Sequence, residues 1–264
     1  MDKLLLVEQK DKILTLVLNR PHKRNALTPD MLIQLYDTLR HVPTDGEIRA
    51  VIIRGAGDRA FSSGYDITAI PTRVSKELED LLNKKSPFEL AIESITHFPY
   101  PVIAMLNGFA FGGACDLAMA CDLRIAADDI QMGMVPARLG VVYFPDGLQR
   151  FIRIIGWQNT KEMFFTARRY KGKKLMDMGL VNYQVPRAEL TAFTHDLAGE
   201  IVQNAPLSLK GIKQILNLIA DAHGLTPSIR QAANTFVQAA MTSQDLKEGQ
   251  AAFLEKRKPN FKGK

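Results

Sequence analysis

Cysteine is nearly absent: the 264 residues hold two, Cys115 and Cys121. Two thiols six positions apart beside a helix start match neither a disulfide framework nor the paired spacing of a zinc site. They read as small buried fillers, with a reactive Cys115 the sharper alternative. Long apolar runs are also missing. No stretch reaches the ~18 residues of a membrane span, and the N-terminal stretch lacks the apolar core and cleavage site of a secretory leader. The expected setting is therefore cytoplasmic and reducing, with no membrane partner. The five histidines are scattered, and Asp128-Asp129 alone makes no metal pattern, so no metal is expected. Acid is in slight deficit: 28 Asp and Glu against 34 Lys and Arg, a net +6. A basic balance suits a polyanionic partner. The basic residues lie among acids, as in Lys76-Glu-Leu-Glu-Asp80, and no nucleic-acid motif occurs. A phosphorylated coenzyme is favoured over nucleic acid.

What is present is an ordinary globular composition, 46% hydrophobic and 23% charged, long enough to bury a full core. Apolar runs predict strands over 3–8, 12–18, 50–54, 101–106, 123–127 and 130–135. Thr28-Pro29-Asp30 is a helix start, with Thr as cap and Pro at the first helical position. Met31, Leu32, Leu35 and Leu39 continue it at helical spacing to about His41. Further helices are expected over 88–98 and 113–121. Beyond Asp146 the pattern turns helical, over about 146–155, 158–167, 187–203, 207–222, 226–241 and 245–257. The polar segment 68–86 is expected to be mobile or ordered by ligand. Strand–helix alternation with short connections argues for α/β layers. The chain divides into a core, 1–197, and a helical C-terminal region, 198–264.

Residues 107–117, N-G-F-A-F-G-G-A-C-D-L, form a glycine-bearing turn between a buried strand and a helix. Gly112 and Gly113 permit close backbone approach or positive φ. The first N–H groups of the helix lack internal partners, so they can hold an oxygen that is or becomes negative. Asp116 lies near enough to share such a site. The plainer alternative is a packing turn whose glycines relieve crowding. A second glycine turn, 60–67, A-F-S-S-G-Y-D-I, follows the strand at 50–54.

Together these two motifs resemble the paired oxyanion turns of the crotonase superfamily, the enoyl-CoA hydratases and isomerases. Asn19-Arg-Pro21, the stretch Lys23-Arg-Asn-Ala-Leu27 and the ending 252–261 extend the resemblance over essentially the whole chain. It implies a spiral of ββα turns, with C-terminal helices packed into a homotrimer or dimer of trimers; a monomeric helical cap is the alternative. It implies an acyl-CoA substrate, with coenzyme A entering as part of that substrate and no separate cofactor. Carried over residue by residue, the N–H groups of Tyr65 and Gly113 would bind the thioester oxygen. Arg24, Ala26, Ser63, Gly64, Asp66, Ile67, Val135 and Lys256 would line the acyl-CoA, Arg24 and Lys256 contacting phosphate, while Asp66 also braces its loop.

Hydratases of this superfamily use two glutamates. Here the first position holds Asp116 and the second Pro136, so the matched acid–base pair for water addition is missing. Proline there, a tyrosine matching Tyr143 and the ending E-K-R-K-P-N-F resemble the methylmalonyl-CoA decarboxylase branch. That branch carries histidine where this chain has Tyr65. The resemblance thus implies a lyase removing CO2 from a malonyl-type acyl-CoA, with Tyr143 orienting the carboxylate. The alternatives are a hydratase, isomerase or thioester hydrolase using Asp116 alone, and a non-catalytic acyl-CoA or RNA binder.

Overall fold

The computed structural model describes residues 3–43, 46–69, 85–222, 224 and 226–262. The segment expected to be mobile lies outside the described residues except at its ends. Strands β1 (Leu5–Lys10) and β2 (Ile13–Leu18) pair antiparallel through a turn at Asp11, where φ is 53°. All six residues of β2 are buried, as in a strand covered on both faces, whereas β1 exposes its outer half at the sheet edge. Helix α1 (Pro29–His41) starts where Thr28 Oγ1 accepts from Met31 N at 3.3 Å. Its buried face is Met31, Leu32, Leu35 and Leu39, at the expected helical spacing.

A ββα unit then repeats. It comprises β3 (Ala50–Gly55), β4 (Ala60–Ser62) and α2 (Pro87–His97); then β5 (Val102–Leu106), β6 (Phe109–Phe111) and α3 (Gly113–Ala120); then β7 (Leu123–Ala127), β8 (Gln131–Gly133) and α4 (Pro145–Thr166). The first strand of each unit joins a six-stranded sheet, ordered β1-β2-β3-β5-β7-β10 with β10 at Tyr183–Val185. The second joins a four-stranded sheet, β4-β6-β8-β9, closed by β9 (Tyr170–Lys171). Ile52, Ile53, Ile103 and Leu106 are fully buried in the core.

Strands do not end at Asp146. β9 and β10 follow it, with α5 (Lys173–Asp177) between them. Two or three residues show no alternation, and these strands exist because β8 and β7 offer partners. Helix α4 breaks at Gly156 (φ 74°, ψ 169°), between the two helices expected there. Helices α6 (Leu190–Gln203), α7 (Pro206–Ala222), α8 (Pro227–Met241) and α9 (Gln244–Leu254) complete the chain, and position 198 falls inside α6. Lys213 on α7 is 6% exposed and donates to Asp122 Oδ2 at 2.6 Å, Tyr100 O at 3.1 Å and Ile95 O at 3.3 Å. That buried ammonium fastens the C-terminal helices to the core. Ile212, Ile215 and Phe236 point outward from α7 and α8. Among the described residues no helix is long and apolar enough to cross a membrane.

Candidate active site

β4 and β6 are neighbouring parallel strands, so both glycine turns leave the same edge of the small sheet. Ligands commonly bind at such carboxyl ends. Two buried amides fix the approach. Asn107 Oδ1 accepts from Gly55 N at 2.9 Å and its Nδ2 donates to Gly55 O at 3.0 Å. Asn25 Nδ2 donates to Ala56 O and Ala60 O at 3.0 and 2.9 Å. The turns come close enough that a side chain is barred at Gly64. A Cβ at Gly64 (φ +102°) would stand 2.5 Å from Phe111 O. One at Gly113 would stand 3.4 Å from Tyr65 N, so the two backbone segments assigned to one oxygen lie side by side. Gly113 opens α3, where an N–H has no intrahelical acceptor.

The loop before α1 runs along the first turn. Ser63 N donates to Arg24 O at 2.9 Å, Leu27 N to Gly64 O at 2.9 Å, and Asp66 N to Leu27 O at 2.8 Å. Arg24 is exposed with φ 53°, and Ala26 is half-buried. Arg20 clasps this loop, donating to Ala26 O at 3.0 Å and Asp66 Oδ2 at 3.3 Å. Burial pushes the Asp66 carboxyl up, but hydrogen bonds from Thr68 and the Arg20 charge outweigh it and hold the pKa below its usual value. Asp66 thus braces its loop. Lys256 is exposed just beyond α9, with φ 57°.

A cavity of about 170 Å³ opens between the turns. Ser63, Gly64, Tyr65 and Ile67 form one wall, and Gly112 and Gly113 the next. Val135, Pro136 and Tyr143 also line it, from the segment where hydratases would carry their second acid. Phe88 on α2 packs edge-on against Tyr65, with ring centroids 6.1 Å apart. Met241 and Phe253 complete the lining from the C-terminal helices. Among the described residues lining the cavity there is no carboxylate. Arg24, Ala26, Asp66, Asp116 and Lys256 do not line it.

Asp116 is 2% exposed and lies behind Tyr143. The Tyr143 hydroxyl donates to Asp116 Oδ2 at 2.8 Å, and Arg150 Nε donates to Oδ1 at 2.9 Å. Burial first, and then the Asp116 charge, push the Tyr143 phenol well above its usual pKa. Burial disfavours the Arg150 charge, but Asp116 beside it outweighs that and holds the guanidinium protonated. Asp116 and Arg150 face a second, polar cavity of about 690 Å³ between α2, α3, α4 and α7. The pair is reached from that side, and Tyr143 from the other. The sequence reading missed Arg150 and Gly147, which lie in a helix with no motif. A Cβ at Gly147 would stand 2.4 Å from Tyr143 Cε1 and 3.1 Å from Asp116 Oδ2. An unneeded glycine in a first helical turn is the signal that was available. Cys115 and Cys121 are both buried, and burial raises both thiols, Cys121 to about 12, which suits fillers rather than nucleophiles. Among the described residues no group of three or more His, Cys, Asp or Glu is placed to hold a metal ion.

Residues 8–264 match the family model described as enoyl-CoA hydratase/isomerase. A short-chain-enoyl-CoA hydratase of Clostridium acetobutylicum is 33% identical over 259 residues, 96% of this chain and 95% of the relative. A methylmalonyl-CoA decarboxylase of Escherichia coli is 34% identical over 254 residues, 96% of this chain and 95% of the relative. A solved methylmalonyl-CoA decarboxylase in complex with 2-nitronate-propionyl-CoA superposes with a TM-score of 0.89, at 33% identity, covering 99% of each chain.

Proposed function

The chain belongs to the enoyl-CoA hydratase/isomerase family, and from that we propose that it is an acyl-CoA lyase releasing CO2 from a malonyl-type thioester. One observation carries the reading: the cavity between the two glycine turns is lined by Pro136 and Tyr143, with no carboxylate among its described lining residues. Hydration needs a base for water and an acid for carbon. Decarboxylation needs neither at its start. It needs a place for the enolate oxygen and a poor environment for the carboxylate. The N–H groups of Tyr65 and Gly113 serve the first need, and losing one such donor costs about 2.7–4 kcal/mol of barrier elsewhere. Apolar walls serve the second, since a weakly solvated carboxylate is raised relative to CO2 plus a held enolate. Tyr143 is the polar anchor that turns the carboxylate out of the thioester plane, its hydroxyl turning from Asp116 to the substrate carboxylate on binding. Arg24 and Lys256 contact the coenzyme phosphates, and coenzyme A enters as part of the substrate. Outward-facing Ile212, Ile215 and Phe236 would be covered in a trimer or dimer of trimers.

The second reading is a hydratase, isomerase or hydrolase with Asp116 as its lone acid–base group. It is favoured by the hydratase relatives, which are as similar as the decarboxylase. Incubation with malonyl, methylmalonyl and enoyl thioesters, followed by mass analysis of products, separates the two. Loss of CO2 from a malonyl thioester is expected, and Tyr143→Phe should slow it more than tenfold, about 1.4 kcal/mol of barrier. Hydration of the enoyl thioester without CO2 loss would overturn the proposal.

A further inference from the structure

Losing CO2 leaves an enolate whose α-carbon must still gain a proton, and the acyl cavity offers few sources. Among its described lining residues, Tyr65 and Tyr143 are the only ones with titratable side chains. Tyr143 differs in what stands behind it. Its hydroxyl donates to Asp116 Oδ2, and Asp116, tied to Arg150, faces the polar cavity on the other side. The two cavities therefore meet at Phe88, which lines both, and across the hydrogen bond between the half-buried Tyr143 and the buried Asp116. Gly147 keeps that contact open, since any side chain there would drive into the Tyr143 ring.

We infer that Asp116, positioned by Arg150, relays a solvent proton from the polar cavity to Tyr143, which delivers it to one face of the enolate α-carbon. The inference rests on the decarboxylation reading. The bond changes balance. The bond between the α-carbon and the carboxylate breaks, its electron pair becomes the enolate, and CO2 departs. On turning from Asp116 to the α-carbon, the Tyr143 hydroxyl gives its proton to the new C–H bond and is left as phenolate. Asp116 takes a proton from water in the polar cavity, leaving hydroxide to the solvent, and passes it to the phenolate. One solvent proton is consumed per CO2 released, with no oxidant or reductant. The raised phenol fits this role, because such a group keeps its proton until a far stronger base, a carbanion, stands beside it. Asp116 and Arg150 act through Tyr143 and are positioning residues.

The test uses a methyl-substituted malonyl thioester in D2O. Its product α-carbon carries methyl, one substrate hydrogen and one solvent deuterium, and is therefore chiral. The native protein should give one enantiomer. Asp116→Asn accepts a hydrogen bond but has no acidic proton to pass on, so it should release CO2 at a rate reduced up to tenfold while the deuterated product becomes racemic. A purely structural role for Asp116 would slow turnover without changing the stereochemistry. If Asp116→Asn strands the Arg150 charge and fails to fold, the double change Asp116→Asn with Arg150→Leu removes both charges and carries the same expectation. A single enantiomer from either folded variant, or racemic product from the native protein, overturns the relay and leaves decarboxylation standing. Absence of CO2 release from every malonyl thioester overturns both.

Discussion

Replacing Gly147 with alanine should lower activity although alanine is the better helix former. The added Cβ would lie 2.4 Å from Tyr143 Cε1, 2.9 Å from Cδ1 and 3.1 Å from Asp116 Oδ2. Carbon atoms pack at about 3.5–4.0 Å, so the ring must retreat by roughly 1 Å. A hydroxyl now 2.8 Å from Asp116 Oδ2 would then stand beyond hydrogen-bond range. Two terms set the stability. Helix propensity favours alanine by about 1 kcal/mol. Overpacking costs about 1–3 kcal/mol, and a buried acceptor losing its donor costs a similar amount. The clash wins, and a net loss of roughly 1–5 kcal/mol is expected from denaturant melts. CO2 release from a malonyl thioester should fall at least tenfold, about 1.4 kcal/mol. A variant more stable than the native protein, with undiminished turnover, would show that Tyr143 is not held against Asp116 and would refute the reasoning.

Gly113→Pro removes one N–H at the first position of α3, where proline is tolerated; turnover should fall about 100- to 1,000-fold while coenzyme A affinity, measured by calorimetry, changes little. Equal loss of both would make Gly113 structural. Lys213→Met should cost about 3 kcal/mol in denaturant unfolding, near the low end for a broken buried pair because Asp122 keeps some contact with water; a change under 1 kcal/mol would mean the lysine fastens nothing. Glu248 accepts from Arg257 and Asn260 N, with Arg257 the larger influence, and its pKa falls from 4.5 to about 2. A lowered pKa stabilises the folded contact above pH 4.5 and loses that contribution as pH falls toward 2, so the protection of the Asn260 amide relative to an unstructured amide at the same pH should fall across that window. Unchanged protection there would break the assignment.

Much of this molecule is legible from residue order because its signals are local. Thr28-Pro29 announces α1, and Gly156 punctuates α4. The two glycine turns stand out because only glycine fits where Gly64 meets Phe111 O. The relation of Asp116 to Tyr143 is not local. The two are 27 residues apart, and one hydrogen bond that exists only after α3 and α4 pack decides whether the acid faces substrate or supports a phenol. Arg150 is illegible for the same reason, being one of two arginines on an amphipathic helix. β9 and β10 were missed because their pairing partners, not their own residues, make them strands.

Met241 and Phe253 wall the same cavity as Gly64 and Gly113, so the pocket's boundary is made in two instalments. On a ribosome adding about 5–20 residues per second, Phe253 emerges several seconds or more after Phe144. During that interval both glycine turns can be in place while the cavity stays open to water. An enolate formed there would meet bulk solvent. Closure therefore belongs to the last-made helices, and changes in α8 or α9 can alter which acyl groups are retained without touching the turns that hold the thioester.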